Sequence, residues 1–418
     1  MFASIPDLLS DLQALYEDLH AHPELSFAEH RTAKIVAERL DALGFDVTAG
    51  VGETGVVATM ANGEGPLVLL RADIDALPVR EETGLSYAST ATATDAQGNE
   101  VPVAHACGHD MHATWLIGVA SLLARHRDQW RGRVLLVVQP AEEIGGGAAA
   151  MIDDDLFERF GTPDVALGQH VAPAPAGWVL YRAGPVMAAS DSVRIVLHGR
   201  GGHGSSPQTT IDPVVMAAST VMKLQTVVSR TVAPTDTAVV TVGSLHAGSK
   251  ENVIASRAEL GLSIRTFVPS VRDRVMSAIE RIAKGEAATY GAPTEPEVEQ
   301  LYSFPVTAND PETTATVSAA FLEHFGAERA MEGPMVTGSE DFGLFGTQGG
   351  FPSLFWFVGG TDAEQWGTAF AAGRLEEDVP YNHSPRFAPV PHPTISAGIE
   401  AMITAALCWL GPSGAASP

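Results

Sequence analysis

Cysteine is nearly absent: the 418 residues contain two, Cys107 and Cys408. A fold stapled by several disulfides is thereby excluded, and any part played by Cys107 must be that of a thiol or thiolate. Basic side chains are also scarce, 25 against 50 acidic ones, for a formal net charge of -25. Such a surface repels phosphate backbones and anionic headgroups, which makes nucleic acid and membrane surfaces poor partners, although the same imbalance also serves solubility alone. No stretch approaches the roughly 20 apolar residues of a membrane helix, and the opening MFASIPDLLSDLQ carries neither a basic leader nor an apolar block. A cytoplasmic protein is expected. No internal repeat is visible.

What is present suits an ordinary folded chain, with 45% hydrophobic and 18% charged residues and many turn formers. The length points to about two domains. HRTAKIVAERLDALGF puts Val36, Leu40 and Leu43 on one helical face and ends at Gly44. Short apolar runs follow at Pro66–Leu70, Arg133–Gln139 and Asp164–Leu167, with a helical pattern over Ala113–Arg125. This alternation predicts an α/β fold with a mostly parallel, mixed sheet flanked by helices.

From Met187 to Pro293 the pattern changes. SVRIVLHGRGG is followed by a helical stretch over Asp212–Arg230, two strand-like runs, TAVVTVGSL and ELGLSIRTF, and a helix over Ser270–Lys284. A smaller α+β unit is expected here, interrupting the first, so that 1–186 and 294–418 form one domain and 187–293 the other. The α/β pattern resumes with SLFWFVGG and a closing helix near Thr394–Leu410, and the tail GPSGAASP is expected to fray.

The densest polar cluster is HACGHDMH, His105–His112, three histidines, an aspartate and a cysteine within eight residues. Cys107 and His109 flank one glycine, so a turning loop can aim both at one ion, and thiolate with imidazole suits zinc-like metals. A buried structural cysteine beside capping groups is the alternative. PAEEIGGG places Glu142 and Glu143 just after a strand, where open α/β sheets put their ligands. Neighbouring side chains diverge, so one glutamate can bind metal while the other serves as general base; a solvated helix start would look similar. His170 in LGQHVAP and His383 in YNHSPRF carry weight only in company with these residues. His203 sits among glycines in GRGGHGSSP and is either functional or an ordinary loop residue.

Together with HPELSFAE, RADIDALP, ENVIA, GSEDF and NHSP, these motifs occur in the order found in one family, which the chain resembles over nearly its whole length. It is the family of dimetal amidohydrolases that includes hippurate hydrolase, N-acyl-L-amino-acid amidohydrolases and auxin-conjugate hydrolases, within a wider group of aminoacylases and carboxypeptidases. The resemblance implies that Cys107, His109, Glu143, His170 and His383 bind two divalent metals, that Glu142 is the catalytic base, and that Asp73 supports a ligand from behind. Zinc is the first expectation, with manganese, cobalt or nickel as alternatives. It further implies a catalytic domain interrupted by a lid that also forms a homodimer. His203 would act in the partner's site, and Asn252 and Arg265 would hold a small N-acyl amino acid. Where the wider group has a ligating His-x-Asp, this chain has Arg71-Ala72-Asp73, which argues against a dipeptidase. Ala104 stands where many relatives have methionine.

The expected activity is amide hydrolysis by metal-activated water. The alternatives are a metallo-carboxypeptidase or dipeptidase, a metal-dependent binding protein of the same fold, and a serine hydrolase using His203 with Ser205 or Ser206. The last lacks a GxSxG elbow.

Overall fold

The structure is a computed structural model that describes residues 1–411; the tail from Pro412 onward, expected to fray, lies outside the described residues. The chain forms two compact units. The first comprises Met1–Val186, Ala308–Pro334 and Asp341 onward, and the second comprises Met187–Thr307 with Met335–Glu340.

The first unit is built on an eight-stranded sheet. Its strands are β1 (Asp46–Val51), β2 (Gly55–Asn62), β3 (Leu67–Asp73), β4 (Gly132–Gln139), β5 (Val165–Pro175), β6 (Val179–Tyr181), β7 (Ala330–Glu332) and β8 (Ser353–Thr361). Their order is β1-β2-β4-β3-β5-β8-β6-β7. The central four, β4, β3, β5 and β8, are mutually parallel, whereas β1, β2 and β6 pair antiparallel toward the edges. Every residue of β3 is buried: Leu67–Leu70 as an apolar run in the middle of a covered parallel sheet should be, and Arg71 and Asp73 as an ion pair.

Helices α1 (Leu9–Ala21), α2 (His30–Ala42) and α3 (His109–Arg125) share one core with the closing helix Pro391–Leu410 and the strands. The closing helix corrects one expectation, because by length and composition it is apolar enough to cross a membrane, with mean hydropathy 1.3. However, 67% of that stretch is buried within the protein, and a Cβ at Gly398 would lie 2.1 Å from the Trp115 indole of α3. It is a core helix whose apolar surface is already used.

The second unit has a four-stranded antiparallel sheet, in the order Ala238–Ala247, Arg257–Thr266, Ala189–His198, Glu297–Phe304. Burial alternates along Arg257–Thr266, and the buried side chains meet helices Pro213–Thr226 and Pro269–Tyr290 in a core separate from the first. The unit extends past Pro293 to Thr307 because Glu297–Phe304 pairs with Ala189–His198. EVEQLYSF is polar and largely exposed at the sheet edge, so it offered no apolar run to mark a strand.

Candidate metal centre

The carboxyl ends of three adjacent parallel strands gather the polar residues, the usual ligand position of such sheets. Asp73 ends β3, Glu142 and Glu143 follow β4, and His170 lies within β5. Between them comes the loop before α3. Gly108 adopts φ +88°, and a Cβ there would stand 2.4 Å from the Val171 side chain, so glycine lets this loop lie against β5 and start α3 at His109.

Cys107, His109 and Glu143 each offer a ligand atom, all within 4.8 Å of one another. His170 Nε2 lies 3.4 Å from Cys107 Sγ, and His383 Nε2 lies 3.3 Å from Glu143 Oε2. The structure therefore brings together all five residues expected as ligands. Glu142 is buried beside them, Oε2 being 4.0 Å from His109 Nε2. His383 has φ +71°, a costly backbone for a residue with a side chain, and its half-exposed ring is held from the neighbouring loop by the backbone bond from its N–H to Ala106 O at 2.7 Å.

Hydrogen bonds fix which ring nitrogens face the centre. His109 Nδ1 donates to Asp75 Oδ1 at 3.2 Å and His170 Nδ1 to Val171 O at 2.7 Å, leaving both Nε2 atoms turned inward as lone-pair donors. His112 differs. Its Nε2 accepts the Val171 N–H at 2.9 Å while its Nδ1 donates to Asp73 Oδ1, so both nitrogens are committed and His112 braces the site instead of binding an ion. The other oxygen of Asp73 takes the Arg71 guanidinium at 2.6 Å. Both carboxylate oxygens are thus engaged, consistent with a supporting residue.

The donor set fits a divalent cation. His109 Nε2 and Glu143 Oε1 are buried, have no hydrogen-bond partner, and face each other across 3.9 Å, which two metal–ligand bonds of about 2.0–2.2 Å would span. The electrostatics agree. Burial opposes charge on His109, yet Asp73 and Asp75 overcome it and raise its pKa to about 10. Burial raises Glu143 to about 8 despite the opposing pull of His109, and burial with Glu143 and Glu142 pushes the Cys107 thiol well up. This is a region with surplus negative charge that a cation would relieve. Burial and His112 hold His170 well below its ordinary value, in the neutral form that ligates.

His203, Asn252 and Arg265 belong to the second unit. His203 pairs with Val253 across a short two-stranded ladder, and Gly204 N–H donates to Asn252 O at 2.8 Å, so His203 and Asn252 are neighbours there. His203 Nδ1 accepts the Ser205 backbone N–H at 3.1 Å, which selects the tautomer with a proton on Nε2 and makes the exposed ring a donor. Ser205 Oγ also reaches Nδ1, at 2.8 Å. Arg265 donates to Ser339 Oγ at 2.5 Å.

Three supporting residues escaped the sequence reading: Asp75, His112 and Asn382. Asp75 stands two residues beyond Asp73 in RADIDALP, and that carboxylate pair after an apolar strand was the available signal. His112 looked like one more potential ligand of a dense cluster, and only its two filled nitrogens reveal its part.

The profile of peptidase family M20/M25/M40 matches residues 69–373, well over half the chain. Hippurate hydrolase of Campylobacter jejuni is 38% identical, over 82% of this chain and 87% of its own. Thermostable carboxypeptidase 2 of Saccharolobus solfataricus is 36% identical, over 82% and 84%. The crystal structure of a dinuclear metal-binding M20 peptidase from Bacillus subtilis superposes with a TM-score of 0.75 at 29% identity, covering 96% of this chain and 99% of that one. These are relatives of the kind the sequence motifs resemble, and the chain is accordingly a hydrolase of peptidase family M20/M25/M40.

Proposed function

We propose that the protein is a two-metal amidohydrolase that cleaves N-acyl amino acids. The observation that carries this reading is the convergence of Cys107, His109 and Glu143 within 4.8 Å, extended by His170 and His383 and flanked by Glu142. The five ligand side chains would hold two divalent ions, with zinc favoured by the thiolate and imidazoles, and manganese, cobalt or nickel also compatible. Bound there, the ions would acidify a water and polarise the amide carbonyl.

Glu142 takes the proton of the attacking water and returns it to the leaving amine nitrogen as the C–N bond breaks. Asp75 and the Val171 carbonyl keep His109 and His170 in the ligating tautomer. His203, as an Nε2–H donor, is proposed to stabilise the oxyanion in the site of the other subunit of a homodimer built through the second unit, a donor of the kind worth about 3–4 kcal/mol. Asn252 and Arg265 are proposed to hold the substrate.

A second reading, peptide-bond cleavage by a metallo-carboxypeptidase, is favoured by the resemblance to a carboxypeptidase. Parallel assays on N-acetyl, N-benzoyl and indole-acetyl amino acids and on carboxypeptidase substrates separate the two. Glu142→Gln should keep its metal and lose about 10²–10⁴-fold in kcat; near-normal turnover would sink the assignment. Mixing inactive His203→Ala and Glu142→Gln chains under subunit exchange should restore part of the activity, since one site of each mixed dimer is then complete. No recovery despite confirmed exchange would remove His203 from the partner's site.

A further inference from the structure

Asn382 immediately precedes His383, and its side chain points at two other ligand-bearing segments. Nδ2 donates to Cys107 O at 3.1 Å and to Val171 O at 3.2 Å, and approaches Cys107 Sγ at 3.8 Å. The Val171 carbonyl is the one that orients His170, and the adjacent His383 N–H bonds Ala106 O at 2.7 Å. One amide group therefore meets the Cys107 loop, the strand carrying His170 and the turn carrying His383 at a single point. Ordinary backbone pairing would not do this, because His383 comes from a turn with positive φ, outside any strand.

We propose that Asn382 is a positioning residue that registers these three segments on one another and withdraws charge from the Cys107 sulfur through one N–H shared between Cys107 O and Sγ, the other N–H going to Val171 O. The proposal rests on the metal reading above and deepens it. The two carbonyl bonds set where the sulfur and the two imidazoles stand. The shared N–H acts on the sulfur itself, since a donor near a thiolate lowers its lone-pair energy and weakens its donation to an ion. Of the two effects, positioning alone could be mimicked by any residue that keeps the loops folded; the effect on sulfur could not.

Cobalt(II) is the probe, added to metal-stripped full-length protein, with the thiolate-to-cobalt charge-transfer band and the binding constant as readouts. The wild type should show a band that Cys107→Ala lacks. Asn382→Leu should move that band to longer wavelength and, because lost registration of three ligand-bearing segments outweighs the stronger donation of one sulfur, weaken cobalt binding by about 10–100-fold, with thermal unfolding of the metal-free protein monitored alongside. Asn382→Ser, a milder truncation, carries the same comparison if the leucine variant does not fold. An unmoved band with unchanged affinity overturns the proposal. Weaker binding with an unmoved band also overturns it, because Asn382 would then only support the fold. Absence of any Cys107-dependent band in the wild type instead refutes the metal reading on which the proposal stands.

Discussion

Replacing Asp75 by asparagine exchanges one buried oxygen for an amide nitrogen and separates ligand orientation from stability. Asp75 Oδ2 accepts from Ser26 Oγ at 2.7 Å and from Glu143 N at 3.0 Å, while Oδ1 accepts from His109 Nδ1 at 3.2 Å. An asparagine that keeps its carbonyl toward Ser26 and Glu143 retains two of the three bonds. Its NH2 group then faces His109 Nδ1. The imidazole relieves the donor–donor clash by giving up its Nδ1 proton and keeping one on Nε2, the atom that points at Glu143 and Asp73. A ligand nitrogen blocked in this way should weaken metal binding by about 10–100-fold, or about 1.4–2.8 kcal/mol. The metal-free protein should lose only about 1 kcal/mol, the net value of one hydrogen bond. Competition with a chromophoric chelator measures the first quantity and urea denaturation of the stripped protein the second. Unchanged metal affinity would refute the argument, and so would equal losses in the two experiments.

Three further outcomes follow from other contacts. Glu29→Ala removes the acceptor of the Ala141 and Phe27 N–H groups and the Thr54 hydroxyl, three buried or half-buried donors, and should cost about 2–4 kcal/mol in denaturant unfolding. Gly108→Ala meets both the φ of +88° and the Val171 side chain at 2.4 Å, so it should destabilise the protein by about 1–3 kcal/mol and lower metal content measured by elemental analysis. His20 sits between Asp110 at 2.6 Å and Glu81 at 3.0 Å; burial opposes its charge, but the two carboxylates raise its pKa from 6.5 to about 10. Because the folded value lies above the unfolded one, its contribution is complete below pH 6.5 and is lost as pH rises through about 10. Over that window the wild type should lose unfolding free energy relative to His20→Gln, and a pH-independent difference would contradict this.

Much of the architecture was legible because burial leaves a mark on composition. The fully buried β3 reads as LVLL, and the helices of the first core carry apolar residues at helical spacing. Edge strands carry no such mark, which is why Glu297–Phe304 was missed and the second unit was expected to end at Pro293. The five candidate ligands were recognisable through their motifs, but what holds them was not. Asp75, His112 and Asn382 act through bonds to segments between 34 and 275 residues away, a pairing that no local pattern reveals. The apolar closing helix shows the opposite difficulty: its composition suits a lipid bilayer as well as a protein core, and only its packing against α3 tells them apart.

The central claim is that amide hydrolysis depends on ions held by Cys107, His109, Glu143, His170 and His383. Its most direct test is a titration of metal-stripped protein with zinc, following hydrolysis of an N-acyl amino acid against equivalents of metal bound. No turnover is expected without metal, and activity should rise and level off at two equivalents per chain. Turnover that persists in protein shown by elemental analysis to hold no metal would contradict it.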